Sequence, residues 1–143
     1  LAHPQLEKAA ALLPEGRFTF ELDGTVLDNE KALMWARDGS GAGCYEGKPC
    51  TWQEADAWVR KLRFAGYDGW RLPTFDELQT LLRMDPEERG KVFTNTKTAV
   101  YWSGTYDRIT DVDRMLAVDF KINRNVKKNK QDKHYVRPIR FPR

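Results

Sequence analysis

The segment KINRNVKKNKQDKHYVR, near the end of the chain, concentrates cationic side chains that could bind an anion. Long, flexible Lys and Arg side chains around a hairpin tip can meet the sulfates or carboxylates of a polysaccharide. The alternative is a solvated hairpin whose lysines only keep the protein soluble. The candidate ligand-binding cations are Arg124, Lys127, Lys128, Lys130 and Lys133.

Four aromatic residues of the predicted strands could supply stacking faces for sugar rings beside these cations, provided that they are exposed. They are Tyr101, Trp102, Tyr106 and Tyr135. Aromatic residues in a strand more often belong to the core. Nucleic acid would use the same charges, but no nucleic-acid-binding module is recognisable in the sequence, so we do not expect a nucleic-acid partner.

Two cysteines, Cys44 and Cys50, enclose the sequence YEGKP, a turn that can bring them together. A disulfide here would close a short loop, stabilise the fold by roughly 2 kcal/mol and imply an oxidising compartment. We favour this disulfide over its alternatives, two free thiols or half of a metal site. Zinc needs about four ligands, and His3 and His134 lie far away without ligand spacing.

A weak calcium candidate lies in YDRITDVDR, where Asp107, Asp111 and Asp113 could offer carboxylate oxygens. The EF-hand spacing, with its Gly and distal Glu, is absent. An exposed acidic loop is therefore the preferred interpretation. We expect no cofactor.

The charge of the chain is polarised along its length. Residues 121–143 carry nine Lys or Arg against one acid, a net charge of +8; because the whole chain carries +3, the first 120 residues carry −5. A basic end on an acidic domain indicates a polyanion, an acidic partner surface or an anionic membrane face. No apolar run approaches the ~18 residues of a membrane-spanning helix.

Three stretches have helical patterns that would position these residues. QLEKAAALL, within a predicted N-terminal appendage over residues 1–16, stops at Pro14 and Gly16. TWQEADAWVRKLRFAG and TFDEL each begin with Thr followed by Glu three residues later, the capping box. The sequence therefore predicts helices that begin after Thr51 and Thr74, the first of them ending at Gly66.

The remaining apolar patterns predict strands. RFTFEL and TVLD flank a turn at Asp23-Gly24, ALMW forms a short apolar run, and from Val100 onward the apolar residues alternate. Pro138 interrupts the last of these segments, so that strand should be an edge strand or break there. Together these elements predict one α+β domain over residues 17–143.

The order of several motifs resembles the C-terminal domain family of the Legionella collagen-like adhesin. The resemblance covers roughly residues 17–141, and the Trp-Arg-Leu-Pro-Thr element with its helix is the most specific part. The motifs are GTVLDNEKALMW, TWQEADAWVRKL, AGYDGWRLPTFDEL, VYWSGTY, AVDF and VRPIR. The family resembles the C-type lectin-like fold, which formylglycine-generating enzymes and retroelement variable proteins share. In such a fold Trp70 and Leu72 fill the core and Arg71 braces neighbouring groups.

The resemblance implies a non-catalytic binding domain that is secreted, periplasmic or exposed on the cell surface. Its expected partner is an anionic glycan, such as a glycosaminoglycan, or a protein. The alternative is an assembly subunit of a pilus or surface complex, for which an oligomer would be natural. A diverged oxidase of the formylglycine-generating type ranks last, because those enzymes use a cysteine pair late in the chain and no cysteine follows Cys50.

Overall fold

The computed structural model describes residues 16–108 and 110–142, with no side chain described at position 111, so the helix predicted for residues 5–13 lies outside the described residues. The strands are β1 (Phe18–Phe20), β2 (Thr25–Asp28), β3 (Leu33–Ala36), β4 (Val100–Arg108), β5 (Asp111–Asp119), β6 (Arg124–Asn129) and β7 (Ile139–Arg140). The helices are α1 (Trp52–Lys61), α2 (Phe75–Arg83) and α3 (Pro86–Val92), and a kinked 3₁₀ segment spans Ala42–Gly47.

The strands form two antiparallel sheets, which confirms the predicted α+β class. The first sheet has the order β1-β2-β3-β7, and the second has the order β4-β5-β6. The predicted turn at Asp23-Gly24 joins β1 to β2, with Phe18 opposite Asp28 and Gly24 at a φ of 93°. The end of the chain thus returns to pair with β3, near its beginning.

Two hydrophobic clusters form the core, and β3 contributes to both. Met34 and Ala36 point into the first cluster, with α1 and the cysteines, whereas Leu33 and Trp35 point into the second, with α2. All four residues of β3 are buried. Burial on both faces explains why ALMW reads as a continuous apolar run rather than an alternating one.

Both predicted capping boxes are present. Thr51 Oγ1 accepts from Glu54 N at 3.2 Å, and Thr51 N donates to Glu54 Oε1 at 2.9 Å. Thr74 and Glu77 form the same pair of bonds at 3.2 Å and 2.8 Å. Each pair satisfies two groups that would otherwise lack partners at a helix start, so both helices begin where the sequence predicts.

The segment that precedes α2 has the structural role expected of it. Trp70 and Leu72 are buried. The Arg71 guanidinium donates to both carboxylate oxygens of Glu77, at 2.7 Å and 2.9 Å. Arg71 thereby braces the same Glu77 that caps the helix.

The first long helix ends earlier than predicted. α1 stops at Lys61, and Leu62 is extended. Phe64 and Tyr67 pair across a tight turn, with Ala65 and Gly66 at φ 56° and 81°. Gly66 therefore serves this turn rather than a helix end, because two successive positive φ values favour a residue without Cβ.

Near the end of the chain, the fully buried Arg137 ties separate segments together. Its Nη1 donates to the carbonyls of Ala36 and Arg37 at 2.8 Å and 2.7 Å, and its Nη2 donates to Thr96 Oγ1 at 2.8 Å. Pro138 follows, and regular pairing resumes only at the two-residue edge strand β7. The predicted break at Pro138 is confirmed.

Candidate functional site

The predicted cations lie along the edge strand β6 and the turn after it, rather than around one hairpin tip. Arg124, Lys127 and Lys133 are exposed, while Lys128 and Lys130 are half-buried. Side chains alternate along a strand, so Lys127 and Lys128 project from opposite faces of the sheet. The structure therefore does not gather the five cations into one patch.

Two of these cations are already engaged within the protein. Lys127 Nζ lies 3.4 Å from Asp107 Oδ1. The Lys130 ammonium lies 4.5 Å from the ring centroid of Trp52 and 4.7 Å from that of Tyr106, within cation–π range of both. These contacts hold the two side chains in place, and Asp107 also partly offsets the charge of Lys127.

Of the four predicted stacking residues, only Tyr106 has a widely accessible ring. Tyr106 is 42% exposed, whereas Tyr101 and Trp102 are buried at 1% and 0%. Tyr135 is half-buried, with its ring 5.8 Å from that of Tyr101. Tyr101 and Trp102 point into the two core clusters, so neither can stack against a sugar. The expected aromatic platform is reduced to Tyr106.

The prediction of a Cys44–Cys50 disulfide is wrong: both residues are buried free thiols. Cys44 N donates to Gly41 O at 3.0 Å, whereas Cys50 pairs through its backbone with His134, at 2.9 Å in both directions. The two residues are thus held by different segments, and both fill the first core cluster. Burial raises the pKa of each thiol to about 11. Without a disulfide, the cysteines no longer indicate an oxidising compartment.

The calcium candidate gains no support from the part of the chain that the structure describes. No group of three or more His, Cys, Asp or Glu side chains there could hold a metal ion. Asp107 is engaged by Lys127. The side chain at position 111 lies outside the described part, so the set of Asp107, Asp111 and Asp113 stays a prediction.

A groove that the sequence reading missed lies between α3, the segment after it and the β5–β6 turn. We call it the cationic groove, and its volume is about 360 Å³. Its two charged lining residues are Arg89 and Lys97, and no acidic residue is among the lining residues that the structure describes. Its polar lining residues are Asn95, Thr96, Thr98 and Asn123, and Phe93 and Phe120 also line it.

Neither cation of the cationic groove forms an ion pair with another described residue. Arg89 is 7% exposed; its Nη1 donates to Leu81 O at 3.1 Å, and its guanidinium lies 4.7 Å from the Phe120 ring centroid. Burial lowers the pKa of Arg89, an effect that nearby Asp85 opposes, but a guanidinium stays charged at neutral pH. Lys97 Nζ donates to Ser40 Oγ at 2.9 Å.

The carboxylate of Asp38, near Lys97, is occupied by other donors. Asn95 Nδ2 and Ser40 N both donate to Asp38 Oδ1 at 2.9 Å. These hydrogen bonds, that of Asn95 first, lower the pKa of Asp38, with Arg137 and Lys97 adding to the effect and burial opposing it. Asp38 therefore stays ionised and attracts Lys97, although no ion pair within hydrogen-bonding range joins the two among the described residues.

The cationic groove adjoins β6 through the chain itself. Asn123 lines the groove at a φ of 53° and directly precedes Arg124, the first residue of β6. Asn tolerates this left-handed conformation better than most residues. Arg124 is exposed and follows this groove-lining residue directly in the chain.

Comparisons with known proteins agree with the motif resemblance. The model of the family described as the Lcl C-terminal domain matches residues 24–140. No curated protein matches the chain. Within the described residues, no helix is long and apolar enough to cross a membrane. Because the family model covers most of its length, the chain belongs to the Lcl C-terminal domain family, whose members are surface adhesin-like domains of bacteria.

Proposed function

We propose that this domain is a non-catalytic adhesin-like module that binds an anionic polysaccharide outside the cell. The observation that carries the proposal is the cationic groove, where Arg89 and Lys97 meet amide and hydroxyl groups with no lining carboxylate. Sulfate and carboxylate groups on a sugar accept hydrogen bonds from all of these donors. A concave, polar and positively charged site therefore suits an acidic sugar residue.

The edge strand β6 would extend the contact along the polymer. Arg124 lies beside the groove, and its side chain has no hydrogen-bond or ion-pair partner among the described residues. Lys128 and Lys133 add further charge along the same strand and turn. A linear polyanion can span such a row, whereas a small anion would need only the groove.

The α+β architecture is compatible with a C-type lectin-like fold, which we propose for it. The support is that the last strand, β7, returns to pair with β3, so the two ends of the domain share one sheet. The helices α1 and α2 lie between the two sheets in sequence. Fold alone does not carry the functional proposal, which rests on the groove.

An assembly role is the second candidate. Several apolar side chains are widely exposed, among them Leu22 at 90% and Phe141 at 62%. They belong to different segments of the chain, and scattered apolar exposure is ordinary for a monomer. The assembly role therefore ranks below polysaccharide binding.

The test is binding of heparin, a densely sulfated polysaccharide, compared with desulfated heparin of the same backbone. We expect the parent to bind heparin and to bind the desulfated chain at least about tenfold more weakly. The variant Lys97→Gln/Arg124→Gln should lose at least about tenfold in heparin affinity, because it removes one cation from the groove and one from β6.

The matched control is Lys61→Gln/Arg63→Gln, which removes the same charge from exposed positions at and just beyond the end of α1. Its heparin affinity should stay within about twofold of the parent. Equal losses in both variants would show a non-specific effect of net charge. Absence of heparin binding by the parent at low salt would move the assembly role ahead.

A further inference from the structure

A second groove on the molecule has a different chemistry, and neither the cations of β6 nor the cationic groove contribute to it. We call it the aromatic groove; it is lined by Ala42, Tyr45, Glu46, Lys48 and Trp58 and has a volume of about 330 Å³. Tyr45 comes from the kinked 3₁₀ segment and Trp58 from α1. Two separate structural elements thus place two aromatic rings at one concave site.

The two rings form an angled wall. Their centroids are 5.2 Å apart and their planes meet at 76°, an edge-to-face contact. Both side chains are half-buried and pack against the first core cluster. The core fixes their orientation, while the part of each ring that the core does not cover lines the groove.

The charges at the rim of the aromatic groove cancel. Glu46 Oε1 lies 3.5 Å from Lys48 Nζ, and these side chains are 67% and 68% exposed. The pair offers hydrogen-bond acceptors and donors without a net charge. An uncharged polar ligand fits such a rim, because the rim has no net charge to attract an anion.

The backbone that presents Tyr45 adopts a costly conformation. Tyr45 and Glu46 have φ values of 56° and 55°, both in the left-handed region, where a residue with Cβ costs roughly 1–2 kcal/mol. Glu46 N donates to Gly41 O at 2.9 Å and Lys48 N to Tyr45 O at 3.1 Å, which holds this turn closed. Glycine at these two positions would relieve the strain, but it would also remove the Tyr45 ring and the Glu46 carboxylate from the groove.

We propose that the aromatic groove binds one uncharged pyranose ring, a neutral hexose or an N-acetylhexosamine. The apolar C–H face of such a ring would stack on Tyr45 or Trp58, and its hydroxyl groups would bond Glu46 and Lys48. This inference does not rest on the proposed anion binding. It predicts a second glycan contact that depends on aromatic surface instead of charge.

The test follows the indole N–H signal of Trp58 by ¹H–¹⁵N NMR during titration with three neutral trisaccharides: chitotriose, cellotriose and maltotriose. At least one should shift that signal saturably, with a Kd of about 1 mM, typical of a single small stacking contact. The affinity should be the same at low salt and in about 0.5 M NaCl, since no net charge is involved. If none shifts the signal at about 10 mM, the proposal is overturned.

Variants separate this groove from the proposed anion site. Trp58→Phe, which retains a ring but lacks the indole reporter and is therefore followed by its backbone amide signals, should weaken binding of the trisaccharide by about threefold. Tyr45→Ala should weaken it by at least about tenfold. Tyr106→Ala, the matched removal of a ring elsewhere, and Lys97→Gln/Arg124→Gln should bind it like the parent. Loss of binding in Tyr106→Ala, or retention in a folded Tyr45→Ala protein, would contradict the assignment.

Discussion

Cys44 and Cys50 act as small apolar side chains in this domain. Each is 1% exposed and belongs to the cluster that also holds Trp52, Val59 and Trp102. A thiolate is the reactive form of cysteine, and burial penalises that charge. The raised pKa of about 11 therefore makes both thiols inert in the folded state.

This burial predicts a large difference in alkylation between folded and unfolded protein. At pH 8 only about one thiol in a thousand is ionised when its pKa is about 11, so iodoacetamide should label neither cysteine in the native protein. After unfolding in urea without reductant, mass spectrometry should find both labelled. Two unlabelled cysteines in the unfolded, unreduced protein would instead restore the disulfide.

His134 is a residue whose charge should be coupled to stability. Its ring packs edge-on against that of Trp102, with the ring centroids 4.9 Å apart. Burial is the main cause that lowers the pKa of His134 from the ordinary 6.5, and the charge of Lys128 adds to it. Asp132 and Asp119 act in the opposite direction without cancelling the shift. The folded protein therefore holds His134 neutral where the unfolded chain would already take up a proton.

The sign of the pH dependence follows from this lowered pKa. The stabilisation from a neutral His134 is complete above about pH 6.5. It is lost as the pH falls from 6.5 toward the pKa of His134 in the folded protein, because the unfolded state then binds more protons than the folded state. Urea unfolding at pH 7.5 and pH 5.5 should show lower stability at pH 5.5. His134→Phe should flatten that difference, and His3→Gln, at the only other histidine, should leave it unchanged. An undiminished difference in His134→Phe would assign the pH dependence to other groups.

At the scale of elements, the two capping boxes allow a controlled comparison. They share the same Thr and Glu geometry, but Glu77 also receives two bonds from Arg71, whereas no Arg side chain in the described part of the chain bonds Glu54. Burial opposes ionisation of Glu77, but its bonds to Arg71 and Thr74 outweigh that effect and lower its pKa. α2 should therefore depend more on its cap than α1 does.

We expect Glu77→Gln to reduce the free energy of unfolding more than Glu54→Gln, because only the first change leaves an arginine without its carboxylate. Thr74→Ala should cost about 1 kcal/mol, the usual cost of losing an N-cap. Urea denaturation at neutral pH measures the free energy of unfolding of all three variants. Equal losses for the two Glu variants would show that the Arg71 contact adds nothing to the cap.

The same elements show which features sequence patterns can predict. The capping boxes are local, since three residues of spacing determine both bonds, and they were predicted correctly. The sequence did not show that Tyr101 and Trp102 are buried, because β4 lies between two core clusters. Its register with β5 also shifts between Trp102 and Tyr106. Alternation along one strand cannot reveal that both of its faces are covered.

At the scale of the whole molecule, the charged segment near the end of the chain was visible in the sequence, but the groove beside it was not. The cationic groove draws Arg89 from α3, Lys97 from the segment after it, and Asn123 from the β5–β6 turn. Residues 34 positions apart share this site only because the second sheet packs near α3. Likewise, the spacing of Cys44 and Cys50 could not show that different segments hold them.

The salt dependence of heparin binding tests the proposed anion site most directly. Each cation that contacts the polyanion releases counterions, so the logarithm of the affinity should fall linearly with the logarithm of salt concentration, by roughly one unit of slope per contact. Calorimetry over a series of NaCl concentrations should give a steep slope for the parent and a slope about two units shallower for Lys97→Gln/Arg124→Gln. A parent slope near zero, or an unchanged slope in that variant, would contradict an anion site at the cationic groove and β6.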